Sequence, residues 1–240
     1  MNTVNKKEID KFSKLAEEWW NPFGKFKPLH KLNPIRVELI RNKIISHYNL
    51  KNGNQPLKKL EILDIGCGGG ILSEPISRMG GNVTGVDASE INIKVAKAHA
   101  NRMGLKINYL CGSLEKITFS KKFDVVLNME VIEHVLNPKL FLRNCSNVLK
   151  SNGIMFVATI NRTLKSYIQA IVGAEYILRW LPIGTHDWNN FFKPEELNKL
   201  AMECNLSEED LIGIKFNLFL KEWKSTSDCN VNYLSTFIKN

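Results

Sequence analysis

The sequence of 240 residues has no long uninterrupted hydrophobic run and no pair of cysteines at C-x-x-C spacing. Its five cysteines are an odd number, which argues against a disulfide framework and against a thiolate metal site. The first residues contain no apolar stretch of the kind found in secretory signal peptides. The most hydrophobic segment, residues 167–184, is interrupted by Gln169, Glu175 and Arg179, which makes it a poor transmembrane candidate. We therefore expect a cytoplasmic protein.

Acidic residues are fewer than basic ones, with 24 Asp and Glu against 33 Lys and Arg, so the formal net charge is +9. Such an excess favours an anionic partner, for example nucleic acid, a membrane surface or an acidic substrate. A general enrichment of the chain in Lys, Asn and Ile is an alternative source of the same charge. The charge alone does not choose between these explanations.

Internal repeats and low-complexity linkers are also missing, which predicts a single domain over residues 1–240. We expect a helical cap over 1–50, a core over 58–160, a helical insertion or lid over 161–193, and a helix with a hairpin over 194–240. In the core, predicted strands at 60–65, 82–86, 107–111, 123–128 and 154–159 alternate with predicted helices at 71–79, 89–103 and 138–149. This alternation predicts a doubly wound α/β fold with a mostly parallel sheet.

Glycine is concentrated at the end of the first predicted strand, in the run from Asp64 to Gly70. Gly66 and Gly68, at a strand-to-helix turn, let the backbone approach a ligand closely, with helix N–H groups behind it. A dinucleotide-binding fingerprint would need a third glycine where Ile71 stands. Asp87 closes the second strand about 20 residues further on, where a carboxylate can accept hydrogen bonds from both ribose hydroxyls. Together these residues predict a nucleotide-type cofactor at the carboxyl edge of the sheet.

A second group of functional side chains, Glu130, Glu133 and His134, follows the fourth predicted strand. Carboxylates and imidazole are ligands of divalent cations, and residues three or four apart share one face of a helix. Solvated helix charges beside a histidine packed in the core would give the same pattern. Spacing alone favours this second interpretation.

The segment from residue 164 to 181, if helical, presents two apolar stripes. One stripe, which could dock on the domain, consists of Leu164, Tyr167, Ile171, Ala174 and Leu178. The other consists of Ile168, Val172, Tyr176 and Trp180. Two stripes exceed what a helix packed on one side needs, so the helix is either buried on two sides or lies at an interface. The Trp19-Trp20 pair fits the same interface, but buried aromatic packing is the simpler interpretation of it.

The run from Asp64 to Gly70, together with Asp87, resembles the nucleotide-binding signature of class I S-adenosylmethionine-dependent methyltransferases. Further segments are similar to one branch of that class, the ubiquinone-biosynthesis O-methyltransferases. The matching segments are Phe26-Lys-Pro-Leu-His30, Asn33-Pro-Ile-Arg36, Met129-Glu-Val-Ile-Glu-His-Val135, Thr159-Ile-Asn-Arg162, Gly173-Ala-Glu-Tyr-Ile-Leu178, Gly184-Thr-His-Asp187 and Val231-Asn-Tyr-Leu234. The resemblance runs from about Phe12 to about Phe237. It departs from the family at Phe216, where the family usually has tyrosine.

The resemblance implies a Rossmann-like class I methyltransferase fold, with a mostly parallel seven-stranded sheet and an antiparallel C-terminal hairpin. It also implies S-adenosylmethionine as cofactor. In that family pattern Gly66 approaches the methionine portion, Asp87 holds the ribose, Met129 lies against the cofactor, and Arg36 reaches the cofactor carboxylate. The implied cofactor-binding residues are therefore Arg36, Gly66, Gly68, Asp87 and Met129, with Ser113 as a weaker candidate for the adenine edge.

The implied reaction is methyl transfer to phenolic hydroxyls of prenylated ubiquinone precursors, at both O-methylation steps of ubiquinone biosynthesis. Glu130 and His134 are the implied catalytic residues, and Glu130, Glu133 and His134 the implied Mg²⁺ ligands. A phenol titrates near pH 10, so little phenolate exists at neutral pH. A bound cation could lower the pKa of the phenol. Without metal, His134 or His186 could act as general base.

The implied partners are a prenylated phenol or quinol, an anionic membrane surface reached peripherally from the inner face, and other ubiquinone-biosynthesis enzymes. Another small molecule or a nucleic acid is the alternative substrate for an enzyme of this class. Nucleic acid is not expected, because Asn128 is followed by Met129-Glu130 instead of the Pro-Pro-aromatic segment of amino-methylating enzymes. The cysteine nucleophile motif of cytosine methylation is also missing.

Overall fold

The computed structural model describes residues 3–169, 171, 187–217, 220 and 222–240. The α-helices are α1 (Lys6–Ser13), α2 (Lys27–His47), α3 (Ser73–Arg78), α4 (Glu90–Arg102), α5 (Pro138–Val148), α6 (Leu164–Ser166) and α7 (Pro194–Met202). The strands are β1 (Glu61–Ile65), β2 (Asn82–Asp87), β3 (Asn108–Cys111), β4 (Phe123–Met129), β5 (Leu149–Ile160), β6 (Leu206–Asn217), β7 (Glu222–Thr226) and β8 (Asn232–Lys239). Short 3₁₀ helices lie at Ala16–Glu18, Ile132–His134 and Trp188–Asn190.

The strands form one sheet in the order β3-β2-β1-β4-β5-β8-β6-β7. Strands β1 to β5 run parallel, whereas β8 pairs antiparallel with β5 and β6, and β7 pairs antiparallel with β6. The predicted antiparallel C-terminal pairing is confirmed, but the described part of the chain has eight strands, not seven. The additional edge strand is β7, where Trp223 lies opposite Phe216 with their ring centroids 5.4 Å apart. Such cross-strand aromatic pairs stabilise short edge strands.

Helices cover both faces of the sheet, as the alternation of strands and helices predicted. Along β1, Leu63 and Ile65 pack on the face that carries α5 and α7, while Ile62 packs on the face that carries α2 and α3. Both sets are buried because parallel strands between two helical layers are apolar on both sides. The predicted doubly wound α/β fold is therefore confirmed.

The predicted boundaries of the core elements hold within a few residues. Ser89 caps α4 by accepting a hydrogen bond from the backbone N–H of Asn92 at 3.3 Å. The helix expected from residue 71 begins only at Ser73, because the turn after the glycine run continues through Leu72. Strand β5 starts five residues before its expected position, at Leu149 instead of Ile154.

Within the insertion, residues 161–169, 171 and 187–193 are described. Leu164 and Tyr167 are 73% and 43% exposed, so the prediction that they belong to a docking face is wrong; Ile171 is buried. The reason is local: Ser166 turns inward and donates a hydrogen bond to the carbonyl of Asn161, which directs its neighbours outward. Ile168 is 53% exposed. The other members of the two stripes, Val172, Ala174, Tyr176, Leu178 and Trp180, lie outside the described residues.

Within the described residues, every helix is too short or too polar to cross a lipid bilayer.

Candidate functional site

A cavity of about 290 Å³ lies at the carboxyl ends of β1, β2 and β4. One side is formed by the residues at and after the ends of β1 to β4, between positions 64 and 135, and we call it the sheet wall. The opposite side is formed by residues between positions 3 and 36, and we call it the N-terminal wall. Ligands of open α/β sheets bind at this edge, so the cavity is the candidate site.

Asp87 ends β2 on the sheet wall, where three hydrogen-bond donors hold its carboxylate. It accepts hydrogen bonds from the backbone N–H groups of Gly68 and Ser89, at 3.0 and 2.8 Å, and from the Asn92 side chain at 3.2 Å. Burial raises the pKa of Asp87, and these donors act in the opposite direction by stabilising the ionised form. The carboxylate is thus fixed at the cavity, where the sequence placed the ribose of a cofactor.

The glycine run after β1 has the positive φ angles that its composition suggested. Gly66 has φ +67°, and a Cβ atom there would lie 2.4 Å from a methyl group of Val131. Gly68 has φ +53°, and a Cβ there would lie 2.4 Å from the indole of Trp19. Both positions therefore require glycine. At Gly68, however, the close neighbour is a side chain of the N-terminal wall.

Trp19 is a residue of the site that the sequence analysis did not identify. Its indole stacks on Phe26, with ring centroids 3.9 Å apart, and its Nε1 donates to the Asn92 side chain at 3.0 Å. Trp20 donates from Nε1 to the carbonyl of Gly69 at 2.8 Å. The buried-packing interpretation is confirmed for Trp19, while Trp20 is half-buried. The only sequence signal was the pair itself, because its partners lie 49 and 73 residues away.

Arg36 of α2 reaches the cavity from the N-terminal wall. It is 5% exposed and forms an ion pair with Glu130, which follows β4. Its Nε atom is buried without a hydrogen-bond partner among the described residues. A buried guanidinium with an unsatisfied donor fits a ligand carboxylate, since such donors are costly to leave unpaired. This agrees with the role predicted for Arg36 from the resemblance, which stays a prediction.

Three further residues from the sequence analysis lie on the sheet wall. Met129 is half-buried at the end of β4, and Ser113 is buried after β3; both line the cavity. Asp64 is 2% exposed and accepts a hydrogen bond from the Ser73 hydroxyl at 2.5 Å. Burial raises the pKa of Asp64 to about 7. Asp64 thus links β1 to the start of α3, on the two sides of the glycine run.

The structure does not bring Glu130, Glu133 and His134 together as one ligand set. Glu130 pairs with Arg36, Glu133 accepts a hydrogen bond from the Thr159 hydroxyl at 2.9 Å, and His134 contacts Glu8. Among the described residues, no group of three His, Cys, Asp or Glu side chains is arranged to hold a metal ion.

The physical reason lies in the local backbone. The predicted convergence assumed a regular helix, but Glu130 has φ +50° and the 3₁₀ turn begins only at Ile132. In this arrangement the residues do not fit a Mg²⁺ site.

His134 is the candidate general base, since it lines the cavity and its ring is held on two sides. Its Nδ1 lies 2.9 Å from Glu8 Oε2, and the ring makes an edge contact with Phe12 at 5.4 Å between centroids. Burial acts to lower its pKa, but the neighbouring carboxylates of Glu8 and Glu133 outweigh this and raise the pKa of His134. His186, the other candidate base, lies outside the described residues.

Comparison with known sequences places the chain among methyltransferases. Residues 63–157 match a sequence-family model described as a methyltransferase domain. The ubiquinone biosynthesis O-methyltransferase of Pelagibacter ubique (strain HTCC1062) is 57% identical over 240 residues, covering 100% of both chains. The protein of the same name from Bartonella quintana (strain Toulouse) is 51% identical, over 97% of this chain and 95% of that one.

Solved structures share the fold at low sequence identity. The magnesium protoporphyrin IX methyltransferase ChlM of Synechocystis PCC 6803 with bound SAH has a TM-score of 0.70 and 17% identity, over 98% of this chain and 100% of that one. The same enzyme with bound SAM has a TM-score of 0.65 and 14% identity, over 100% of both chains. At this identity the likeness shows the class I methyltransferase fold alone.

Proposed function

This chain belongs to the ubiquinone biosynthesis O-methyltransferases, and we propose that it methylates phenolic hydroxyls of prenylated ubiquinone precursors at both O-methylation steps. It is an S-adenosylmethionine-dependent enzyme. The observation that carries the proposal is one cavity whose walls include Asp87, Arg36 and His134. Asp87 can accept hydrogen bonds from a ribose, Arg36 can donate hydrogen bonds to a carboxylate, and His134 can take the proton of an acidic hydroxyl.

The cofactor would be held by groups from both walls. When bound, S-adenosylmethionine supplies an electrophilic methyl group on a positively charged sulfur. Asp87 would accept hydrogen bonds from the ribose hydroxyls, and Arg36 would donate to the amino-acid carboxylate, with which a guanidinium can form two parallel hydrogen bonds. Glu130 balances the charge of Arg36. Apolar side chains, among them Ile9 and Phe141, line much of the rest of the cavity.

His134 would remove the phenolic proton during transfer. A phenol has a pKa of about 10, so it is largely neutral near pH 7 and a poor nucleophile. Proton transfer to the imidazole accompanies formation of the bond between oxygen and the methyl carbon, while the carbon–sulfur bond breaks. General base catalysis of this kind contributes about 10²–10⁴-fold, and alignment of the two reactants supplies further acceleration.

The test is product identification with labelled S-adenosylmethionine and two substrates, a prenylated catechol and a demethylated prenyl quinol. We expect label on one phenolic oxygen of each. His134→Gln should lower kcat by about 10²–10⁴-fold, the range of general base catalysis. His47→Gln is the matched control, because that histidine contacts the carbonyl of Asn152, outside the residues that line the cavity. Label in RNA or DNA, with neither phenol modified, would contradict the proposal.

Dependence on Mg²⁺ is the point on which the resemblance and the geometry differ. The resemblance predicts that a chelator lowers activity, that Mg²⁺ restores it, and that Glu133→Gln blunts this response. Glu130, Glu133 and His134 are not arranged as a cation site among the described residues, so the proposed reaction uses His134 as base without a cation. Turnover after exhaustive chelation distinguishes the two: full activity supports His134 as sole base, and recovery only with Mg²⁺ supports a cation.

Contact with a membrane surface is the remaining part of the proposal. Leu164, Tyr167 and Ile168 are exposed at the start of the insertion, and a prenylated substrate partitions into lipid. We expect cosedimentation with anionic liposomes, weakened by salt because basic residues near anionic lipid contribute about 1 kcal/mol each. Ile168→Asp should reduce binding, and Met202→Asp, at an apolar residue exposed on α7, should not. Equal binding of all three proteins would exclude this face.

A further inference from the structure

Trp20 lies on the outer side of the N-terminal wall, away from the cavity. Among the described residues that line the cavity, Trp19 is present and Trp20 is not. The Trp20 indole instead stacks on the imidazole of His99 in α4, with ring centroids 3.5 Å apart and an interplanar angle of 4°. Its Nε1 donates to the carbonyl of Gly69 at 2.8 Å. Trp20 can therefore affect a ligand in the cavity only through other residues.

The His99 ring is held by a buried carboxylate. Its Nδ1 lies 2.5 Å from Oε1 of Glu74 in α3, and Glu74 is 2% exposed. The other carboxylate oxygen of Glu74 accepts a hydrogen bond from Arg78 at 3.5 Å, so both oxygens have a partner. Because a carboxylate buried this deeply is stable only when it is paired, Glu74 fixes the plane of the ring on which Trp20 stacks.

These contacts begin and end at the glycine run. The backbone N–H of Glu74 donates to the carbonyl of Gly70 at 3.1 Å, and Trp20 donates to the carbonyl of the preceding residue, Gly69. We call Glu74, His99 and Trp20 the outer clasp. The outer clasp connects two neighbouring glycines through α3, α4 and the N-terminal wall, and so attaches this wall to the turn against which a cofactor would lie.

Trp19 connects the outer clasp to the cavity. It directly precedes Trp20, its indole lies against the glycine run, and its Nε1 donates to Asn92 at 3.0 Å. Asn92 in turn donates to Asp87, the residue that we assign to the ribose, at 3.2 Å. Asn92 and His99 are seven residues apart on α4, which is about two helical turns, so they project from the same side of the helix. Each of them holds one of the two tryptophans.

We propose that Glu74, His99 and Trp20 are positioning residues for the cofactor, which hold Trp19 over the glycine run and thereby raise the affinity for S-adenosylmethionine. With Trp20 fixed on His99, the adjacent Trp19 indole is in place before the ligand arrives. Less of the wall then has to be ordered when the cofactor binds, which strengthens binding. This inference rests on the proposed function for the place of the cofactor in the cavity, but attachment of the wall can be measured without any ligand.

The first experiment measures the cofactor Kd by isothermal titration calorimetry in Trp20→Ala, Trp20→Phe and His99→Gln. Phenylalanine keeps a ring for the stack, whereas glutamine keeps a donor for Glu74 and loses the ring. We expect Kd to rise about 3–10-fold in Trp20→Ala and His99→Gln, the range that one aromatic pair sets, and less in Trp20→Phe. Trp223→Ala is the matched control, because it removes a tryptophan that packs on Phe216 at the edge strand. The control should lower Tm and leave Kd unchanged.

A double variant shows whether the outer clasp acts through Trp19. If it does, Trp20→Ala combined with Trp19→Ala should bind the cofactor no more weakly than Trp19→Ala alone, because residues that act as one unit are not additive. Free-energy losses that add would overturn the inference. So would a wild-type Kd in both Trp20→Ala and His99→Gln, or an equal rise of Kd in Trp223→Ala.

Backbone amide hydrogen exchange of the ligand-free enzyme gives the second readout. Exchange in residues 15–26 should be faster in Trp20→Ala and His99→Gln than in wild type, and unchanged in Trp223→Ala. Wild-type exchange in both clasp variants would overturn the inference, since the outer clasp would then not hold the wall. If Asp87→Ala binds the cofactor with wild-type affinity, the cofactor site of the proposed function fails, while the exchange rates still decide whether the outer clasp holds the wall.

Discussion

The two walls of the cavity are built in different ways. On the sheet wall some contacts are local: Asp87 accepts a hydrogen bond from Ser89 two residues away, and Asp64 from Ser73 nine residues away. On the N-terminal wall they span long stretches of sequence, as between Trp19 and Asn92. The first wall forms when the parallel strands pair and bring their carboxyl ends together, whereas the second also requires the N-terminal segment to pack over that edge.

The walls also differ in what they offer a ligand. The sheet wall provides carboxylates, backbone N–H groups and His134, while the N-terminal wall adds the guanidinium of Arg36 and the carboxylate of Glu8. We expect the sheet wall to contribute most to cofactor binding. We expect the N-terminal wall to adjust the cofactor affinity. Variants on the two walls should therefore differ in the size of their effects.

Replacing Asp87 should cause the largest loss of cofactor binding. Asp87→Ala removes the acceptor for two ribose hydroxyls, and hydrogen bonds to a charged group contribute about 1.5–3 kcal/mol each. The Kd for S-adenosylmethionine should rise by about 10²–10⁴-fold, measured by isothermal titration calorimetry. Asp124→Ala is the matched control, since that carboxylate binds Glu61 and Lys150. Wild-type affinity in Asp87→Ala would refute the ribose assignment.

Asp64 tests the sheet wall through stability. Its pKa is raised by burial from 3.8 to about 7, so the folded state holds the proton more tightly than the unfolded state. This contribution is present in full below about pH 4 and is lost as pH rises to about 7, with an upper bound of about 4 kcal/mol. Asp64→Asn should remove that decline from the free energy of unfolding measured in urea from pH 4 to 8. Parallel pH profiles of the two proteins would show that folding does not raise the pKa of Asp64.

Arg36 tests the charged part of the N-terminal wall. Arg36→Met should raise the cofactor Kd by about 10–100-fold, because one charge-assisted interaction of about 1.5–3 kcal/mol is lost. Adding Glu130→Gln to this variant removes the carboxylate that has lost its ion pair. The remaining increase in Kd then reports only the lost contact between Arg36 and the cofactor. Arg41→Met, on the same helix and bonded to Asn52, should bind normally. Normal affinity in Arg36→Met would assign the arginine to Glu130 alone.

Trp19 tests the aromatic part of the same wall and should have the smallest effect. Trp19→Ala removes the indole from Gly68 and from the Asn92 side chain, which itself donates to Asp87. We expect the cofactor Kd to rise by about 10-fold, or about 1.4 kcal/mol. Phe23→Ala, at a residue 85% exposed in the same segment, is the control. If the Trp19 effect exceeded that of Asp87, the proposed ranking of the two walls would be reversed.

The sequence was most informative where chemistry and neighbours are close in the chain. Gly66, Gly68 and Asp87 were placed at strand ends, because strand periodicity and turn conformation depend on a few adjacent residues. For the same reason the α/β fold and the cofactor edge could be predicted. The family resemblance added Arg36, whose long-range contact no periodicity suggests.

The failures share one cause as well. The convergence of Glu130, Glu133 and His134 was predicted from helical spacing. Instead, Glu130 has a positive φ and pairs with Arg36. Glu133 accepts a hydrogen bond from Thr159, so the side chains have different partners. Exposure of Leu164 followed from the inward hydrogen bond of Ser166, which apolar patterning does not report.

By itself, the sequence determined the order of strands and helices, the glycine turn and the carboxylate that closes β2. Only the tertiary structure decided that Trp19 lies on Gly68 and that Glu8 meets His134. The physical reason is the range of the interactions. Hydrogen bonds of turns and caps form between neighbours in the chain, whereas the N-terminal wall depends on contacts between segments that approach each other only when the sheet and its helices have packed.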